Sequence, residues 1–370
     1  MPVVRPQVPE VSGYVDTLNA AWEQHLAPRA IDAPTVISTF AGCGGSSLGY
    51  SMAGYRELLA VEWDQNAVDT FRLNFPEVPV YHGDIAKLSV DECLSMSGLQ
   101  PGDLDVFDGS PPCQGFSTAG KRNIDDDRNQ LFREYVRLLR GLQPKVFVME
   151  NVSGMVKGKM KLVFAEILRE LKASGYQVSA RLLNAMYFNV PQSRERMIFI
   201  GVRNDLGMKP SHPVAAMNPL TFRDAVECLN LYEQDAAIDH VWVDEVQRKT
   251  KWITAASVLR QGQKLVPDTP SSIRAWMDKP LPTIQKNAMP GQPPYVRNST
   301  IHPTQPRALS IREMARCQSM PDQYRFVDAL HNGMQRIGNS VPPLFMRAIA
   351  EHIRVNMLTA TRESVAMAAD

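Results

Sequence analysis

Thr35-Val36-Ile37-Ser38-Thr39-Phe40, followed at once by Ala41-Gly42-Cys43-Gly44-Gly45-Ser46-Ser47-Leu48-Gly49, decides how the chain is read. The first six residues are β-branched or aromatic at nearly every position, as in a buried strand. The glycines free the backbone for a tight loop, and a helix opens behind them. Working outward, Glu57 to Glu62, holding Leu58-Leu59-Ala60-Val61, reads as a second strand. Val78 to Tyr81, Leu104 to Asp108 and Lys145 to Glu150 read as three more. Leu131, Phe132, Tyr135, Val136, Leu138, Leu139 and Leu142 mark one helix face between the last two. A helix near 159–173 follows, with Gly175 as its cap, then strands at Gln177 to Leu183 and Met197 to Val202. This alternation predicts an α/β fold of Rossmann-like type, a mixed, mostly parallel sheet with right-handed crossovers and helices on both faces.

Upstream, residues 1–10 read as a loose tail. Val11, Tyr14, Val15, Leu18, Trp22, His25 and Leu26 then predict one amphipathic helix on the main domain, ended by Pro28. Downstream of Arg203 periodicity weakens. Residues 204–310 hold 12 of the 27 prolines, and Trp242, Trp252 and Trp276 are among the five tryptophans. This predicts a smaller, irregular, turn-rich domain, with core packing as the expected role of the three tryptophans. Ser310 resembles an N-cap, and a last helix begins near Pro342-Pro343.

Composition narrows the function classes. With 370 residues, 44% apolar and 21% charged, the chain has an ordinary globular make-up and room for two domains. A net charge of +1 gives no global pointer to nucleic acid. Cys43, Cys93, Cys113, Cys228 and Cys317 are odd in number and widely spaced, which argues against a disulfide framework or a zinc site and for a reducing compartment. No signal peptide and no long apolar span is expected.

The glycine loop has the place of a nucleotide-binding turn but neither familiar pattern. Ser47 stands where a dinucleotide fingerprint needs glycine, and Gly49 is followed by Tyr50-Ser51, not Lys-Ser/Thr. Glu62 ends the second strand, 20 residues after Gly42, where an acid accepts from ribose hydroxyls. Trp63 can stack on adenine, and Asp84 can accept from its amino group. Ribose and adenine contacts without a phosphate cradle point to S-adenosylmethionine. The alternative, solvated turn acids, would hold for Glu62 or Asp84 alone.

Gly109-Ser110-Pro111-Pro112-Cys113-Gln114-Gly115-Phe116-Ser117 follows the fourth strand, and Glu150-Asn151-Val152 closes the fifth. Alone, the first loop reads equally as a Pro-rich turn with a buried cysteine or as a presented thiol. In an open parallel sheet these strand ends are neighbours, where ligands bind, so a thiol and a carboxyl can face one substrate.

Taken in order, the motifs resemble those of the DNA (cytosine-5)-methyltransferases: Phe40–Gly45, Glu62-Trp63, Gly83-Asp84-Ile85, Gly109–Ser117, Asp127–Phe132, Glu150-Asn151-Val152, Gln192-Ser193-Arg194-Glu195-Arg196, Arg312–Gln318 and Gly338–Pro343. The match covers residues 35–203 and 308–350. The resemblance implies a methyltransferase domain at 34–203 plus 336–370, a target-recognition domain with hinge at 204–335, and a tail and helix at 1–33. It implies Cys113 as nucleophile towards carbon 6 of a flipped-out cytosine, with Glu150 at ring nitrogen 3 and Arg194 and Arg196 supporting them. S-adenosylmethionine would be held by Phe40, Ala41, Gly42, Gly44, Gly45, Glu62, Trp63, Asp84, Ile85, Pro111, Leu131, Asn339 and Ser340, with no metal. Gln114, Ser117, Lys121, Arg122 and Gln192 would meet double-stranded DNA, 114–128 as a mobile catalytic loop. A monomeric, cytoplasmic, nucleoid-associated modification methylase follows, either solitary or beside a separate cognate restriction endonuclease. The alternatives are a tRNA methyltransferase of the same superfamily, whose Cys-Phe-Thr signature is missing at Cys228-Leu229-Asn230, and a catalytically silent DNA-binding paralogue. Three positions depart from the family's habit: Ser38 for Asp, Ser110 for Gly and Met320 for an aromatic.

Overall fold

The structure, a computed structural model, describes residues 13–112, 130–156, 160–215, 218–242, 259–263, 273–285 and 300–359. Five strands run parallel: β1 (Thr35–Thr39), β2 (Arg56–Glu62), β3 (Val80–His82), β4 (Val106–Gly109) and β5 (Val146–Val152). Helices α2 (Gly45–Met52), α3 (Gln65–Asn74), α4 (Val90–Ser97) and α5 (Gln130–Leu142) fall between them. After α6 (Met160–Ala173) come β6 (Tyr176–Asn184), the two-residue β7 (Gln192–Ser193) and β8 (Glu195–Arg203). Among the described residues the main sheet has seven strands in the order β3-β2-β1-β4-β5-β8-β6. The chain moves outward from β1 and then returns to place β4 on β1's other side. The crevice at that reversal, at the strands' C-terminal ends, is where such sheets bind ligands.

The sequence reading places these strands within two residues of where they lie. It does not foresee that β8 pairs antiparallel with both β5 and β6. The physical reason is chain length. Only residues 185–194 join β6 to β8, too few for the helical crossover that a parallel pair needs.

Alternate strand residues face opposite sides of the sheet. Val36, Ala60, Val106, Val148 and Ile200 enter one core. Ile37, Leu59, Phe107, Phe147, Met149 and Phe199 enter the other, under α4, α5 and α6. The first core runs on into α1 (Tyr14–Leu26), α2, α7 (Phe222–Ala225) and three C-terminal helices: α8 (Ile311–Cys317), α9 (Ala329–Asn339) and α10 (Pro343–Ile353). Pro343 opens α10, where a missing N–H costs nothing and the fixed φ suits a first turn. α10 lies so close on α2 that a Cβ at Gly49 would stand 2.6 Å from the Pro343 carbonyl oxygen, so only glycine fits.

α1 does more than lie on the main domain. Tyr14 donates to the Arg316 carbonyl at 2.7 Å, and Trp22 packs edge-on against Tyr324. Arg29 donates to the Ser51 carbonyl at 2.6 Å at the end of α2. The helix thus joins the α2 layer to the C-terminal helices.

The described parts of 204–310 are irregular, as expected: the four-residue α7, the two-residue β9 (Leu281–Pro282) paired with β7, and isolated bridges at Arg274, Ile301 and Ala308. Trp276 and Trp242 are half-buried, and each carries a cation on its face. Lys279 sits 4.8 Å and Arg307 4.2 Å from the respective ring centres. Trp252 lies outside the described residues. Ser310 caps α8 in a reciprocal box with Glu313.

Candidate active site

The glycine loop and the ends of β2 and β3 form one wall of the crevice. Gly42 has φ 57, and a Cβ there would meet nothing within 4 Å, so the backbone borders open space. Its N–H donates to Glu62 Oε2 at 2.7 Å. Glu62 Oε1 accepts from the N–H groups of Trp63 and Asp64 at 2.9 Å each. The acid therefore sets the loop, and a carboxylate oxygen with one partner can still accept from a ligand hydroxyl. Trp63 is 76% exposed beside it, a free aromatic face. Asp84 accepts from the Ala86 N–H at 3.0 Å through Oδ1 and starts a 3-10 turn. Ile85 is buried in that turn, with Phe40 and Leu131 packed against the same core. Ser340 approaches from behind: its hydroxyl lies 3.1 Å from the Cys43 thiol. Asn339 is exposed. An open backbone cradle, an acid at its lip and an exposed indole fit an adenosine-type ligand.

The second wall is the end of β4 and β5. Arg196 Nε and Glu150 Oε1 form an ion pair at 2.6 Å, both groups nearly enclosed. The antiparallel register explains the meeting. Val152 pairs with Arg196, so β8 delivers its arginine opposite the end of β5. Asn151 Nδ2 donates to the Pro111 carbonyl at 3.0 Å, tying β5 to the segment that leads into Cys113. Cys113, Gln114, Ser117, Lys121 and Arg122 lie outside the described residues.

Arg194 and Gln192 are enclosed. Arg194 is 1% exposed, and its guanidinium donates to the carbonyls of Ile284, Gly338 and Ser340 at 3.1, 2.9 and 2.8 Å. Burial pushes its pKa well below the ordinary value. It latches the 338–340 turn to the β7 region, within electrostatic reach of Glu150 and Arg196. Gln192, expected at the DNA, is fully buried. Its amide donates to Gln318 at 2.6 Å and accepts from the Ile284 N–H at 3.1 Å. Both residues stand on the short β7–β8 segment, which pairs with β9 on one side and is enclosed by α8 on the other. Of the grouped Gln192, Arg194 and Arg196, Arg196 makes the direct ion pair with Glu150.

Sequence reasoning missed Asp108. It is 2% exposed, one residue short of the end of β4. Ser38 is its register partner on β1, so at the level where Ser38 replaces the expected acid a carboxyl stands one strand over. Its only signal in sequence is an acid inside an otherwise apolar strand. Among the described residues no cluster of His, Cys, Asp and Glu is suited to a metal, and no helix is long and apolar enough to cross a membrane.

Comparison with known proteins gives a consistent result. The family model for C-5 cytosine-specific DNA methylase matches residues 34–354. The chain is similar to the Type II methyltransferase M1.HphI of Haemophilus parahaemolyticus, 37% identical over 339 residues and covering 86% of each protein. It is also similar to M.XorII of Xanthomonas oryzae pv. oryzae, 33% identical over 367 residues, 86% of this chain and 84% of that one. Among solved structures, an E. coli prophage protein described as a DNA modification methyltransferase superposes with TM-score 0.71 at 26% identity, covering 88% of this chain and 100% of that one. Spodoptera frugiperda DNMT2 shares the fold, with TM-score 0.60 at 18% identity over 89% of this chain and 100% of that one.

Proposed function

The chain belongs to the C-5 cytosine-specific DNA methylase family, and on that premise we propose that it methylates carbon 5 of a flipped-out cytosine in a specific duplex sequence, using S-adenosylmethionine and a transient bond to Cys113. The observation that carries the reading is the Glu150–Arg196 pair, held at the strand ends beside the segment leading into Cys113. The 30–37% identities to Type II methyltransferases support a modification methylase, solitary or paired with a separate nuclease that reads the same sequence.

Carbon 5 of cytosine is a weak nucleophile. In the proposed reaction the Cys113 thiolate adds its electron pair to carbon 6, while the Glu150 carboxyl contacts or protonates ring nitrogen 3. Arg196 holds Glu150 in place for that contact. Carbon 5, now enamine-like, takes the methyl group. Loss of its proton and expulsion of the thiolate restore the aromatic ring and the free cysteine. When bound, S-adenosylmethionine supplies the electrophilic methyl. Gly42, Glu62, Trp63 and Asp84 would hold its ribose and adenine. Stacked duplex hides the target atoms, so the base leaves the stack first, and 114–128 would close over it. Residues 34–203 with 336–370 form the catalytic part in this reading, and 204–335 the recognition part. The enzyme acts as a monomer in the cytoplasm, at the nucleoid.

The test is to express the protein and sequence host DNA for 5-methylcytosine, with Cys113→Ala as control. Methylation of one short motif, abolished in the variant, is expected. No new methylcytosine from a soluble protein that binds the cofactor sinks the proposal. Arg196→Ala should reduce the yield of cysteine–DNA adduct, and a normal yield removes Arg196 from the reaction.

A further inference from the structure

Asp108 is a buried ionisable group that the reaction above does not use. Ser46 Oγ donates to its Oδ2 at 2.6 Å, and Tyr50 OH donates to its Oδ1 at 3.3 Å. Both donors are on α2, four residues apart and so on one face, in the helix that opens directly from the glycine loop. The backbone of Asp108 is anchored separately: its carbonyl accepts from Thr39 Oγ1 at 3.0 Å. Next to it, a Cβ on Gly109 would come within 2.4 Å of the same Thr39 oxygen, so only glycine lets β4 pack this closely on β1 there. Three residues on, Pro111 is tied to Asn151. One carboxylate therefore connects the helix behind the cofactor loop to the rigid start of the segment bearing Cys113.

We propose that Asp108 is a positioning residue whose ionised carboxylate, through Ser46 and Tyr50, sets the glycine loop against the nucleophile-bearing strand, so that cofactor affinity depends on its charge. The proposal rests on S-adenosylmethionine being the cofactor. A carboxylate can accept from both hydroxyls at once, and a short bond to an ionised acceptor is about twice as strong as a neutral one. Once protonated, the group loses its charge, both hydroxyl bonds fall to neutral strength, and its own hydrogen needs a hydroxyl oxygen as acceptor, which rearranges the pattern. Among the described residues, the groups that face it include no counter-cation. They are Ser46 and Tyr50 on α2, Tyr135 on α5, Glu57 on β2 and Glu150 on β5. Burial, with a smaller push from Glu150, brings Asp108 to about 7, against the pull of the two hydroxyls. Glu57, enclosed and bonded to Ser47 at 2.8 Å, is pushed by burial to about 8 and is the rival source of any transition near neutrality.

The test is calorimetric titration of the full-length protein with S-adenosylmethionine, without DNA, from about pH 6 to pH 9. Wild type is expected to bind more tightly as pH rises through about 7, by roughly tenfold per pH unit at most, the limit for one coupled proton. Asp108→Asn, close in shape but without charge, should bind more weakly above the transition and show no pH dependence. Ser46→Ala removes a bond that holds the pKa down, so its transition should move to higher pH. A purely structural role predicts uniform weakening with no change in the profile. Wild type that fails to bind at any pH overturns the cofactor reading and this proposal with it. Binding by Asp108→Asn with the wild-type profile overturns this proposal alone and gives the transition to Glu57.

Discussion

Two buried acids, Asp108 in the catalytic sheet and Glu313 at the foot of α8, show what a partner's charge does to a carboxyl. Both are almost fully enclosed, at 2% and 0% exposure. Burial pushes each pKa upward. Glu313 is met by Arg307 through two parallel bonds, Nη2 to Oε1 at 2.7 Å and Nη1 to Oε2 at 2.9 Å, and by the Ser310 N–H at 2.7 Å. Those bonds and that charge overturn the effect of burial and hold it below the usual range. Among the described residues Asp108 has two hydroxyls and no guanidinium, so burial wins and raises it to about 7. The first is a fixed ion in a framework. The second is a carboxyl that burial has pushed up to about 7.

The largest effect that can break this contrast is Arg307→Ala. It strands a buried carboxylate and should cost about 3–5 kcal/mol in chemical denaturation. A loss under about 1 kcal/mol means that Glu313 does not depend on its partner.

The pH profiles of stability should run in opposite directions. Glu313, with its pKa depressed in the fold, adds stability above its ordinary value of 4.5 and loses it as pH falls through the folded value. Asp108 is raised from 3.8 to about 7, so the folded state holds its proton more tightly, and its contribution is lost as pH rises through that window. Asp108→Asn should therefore gain stability relative to wild type between about pH 4 and pH 8, by up to about 4 kcal/mol given 1.4 kcal/mol per pKa unit. Thermal melts at both ends measure the difference, and a flat difference removes the contrast.

The smallest effect sharpens the rule. Arg140 and Glu170 pair at 2.6 Å with side chains 48% and 42% exposed. Water already solvates both, so Arg140→Ala should change unfolding free energy by about 0.5 kcal/mol or less.

The contrast also marks what sequence makes legible. Strands reveal themselves locally, so β1 to β6 and the Glu62 and Glu150 strand ends are readable from composition and alternation. Arg194 and Gln192 are not. Their partners Ile284, Gln318, Gly338 and Ser340 arrive from up to 146 residues away, and no local pattern separates a buried latch from an exposed ligand. The antiparallel turn of β8 was readable in principle from the ten residues before it, had connection length been weighed against the habit of parallel alternation. Asp108 escaped because a lone acid at the end of a strand looks like a turn residue until its two hydroxyl partners on α2 are in view.

The seat of α10 on α2 has a consequence for biosynthesis. Gly49, behind the cofactor loop, is covered by Pro343 and Met346, about three hundred residues later in the chain. The glycine loop, Cys113, Glu150 and Arg196 all leave the ribosome long before that cover exists. A nascent chain that stops short of Pro343 therefore leaves the apolar side of α2 bare, although the whole seven-stranded sheet has already been made.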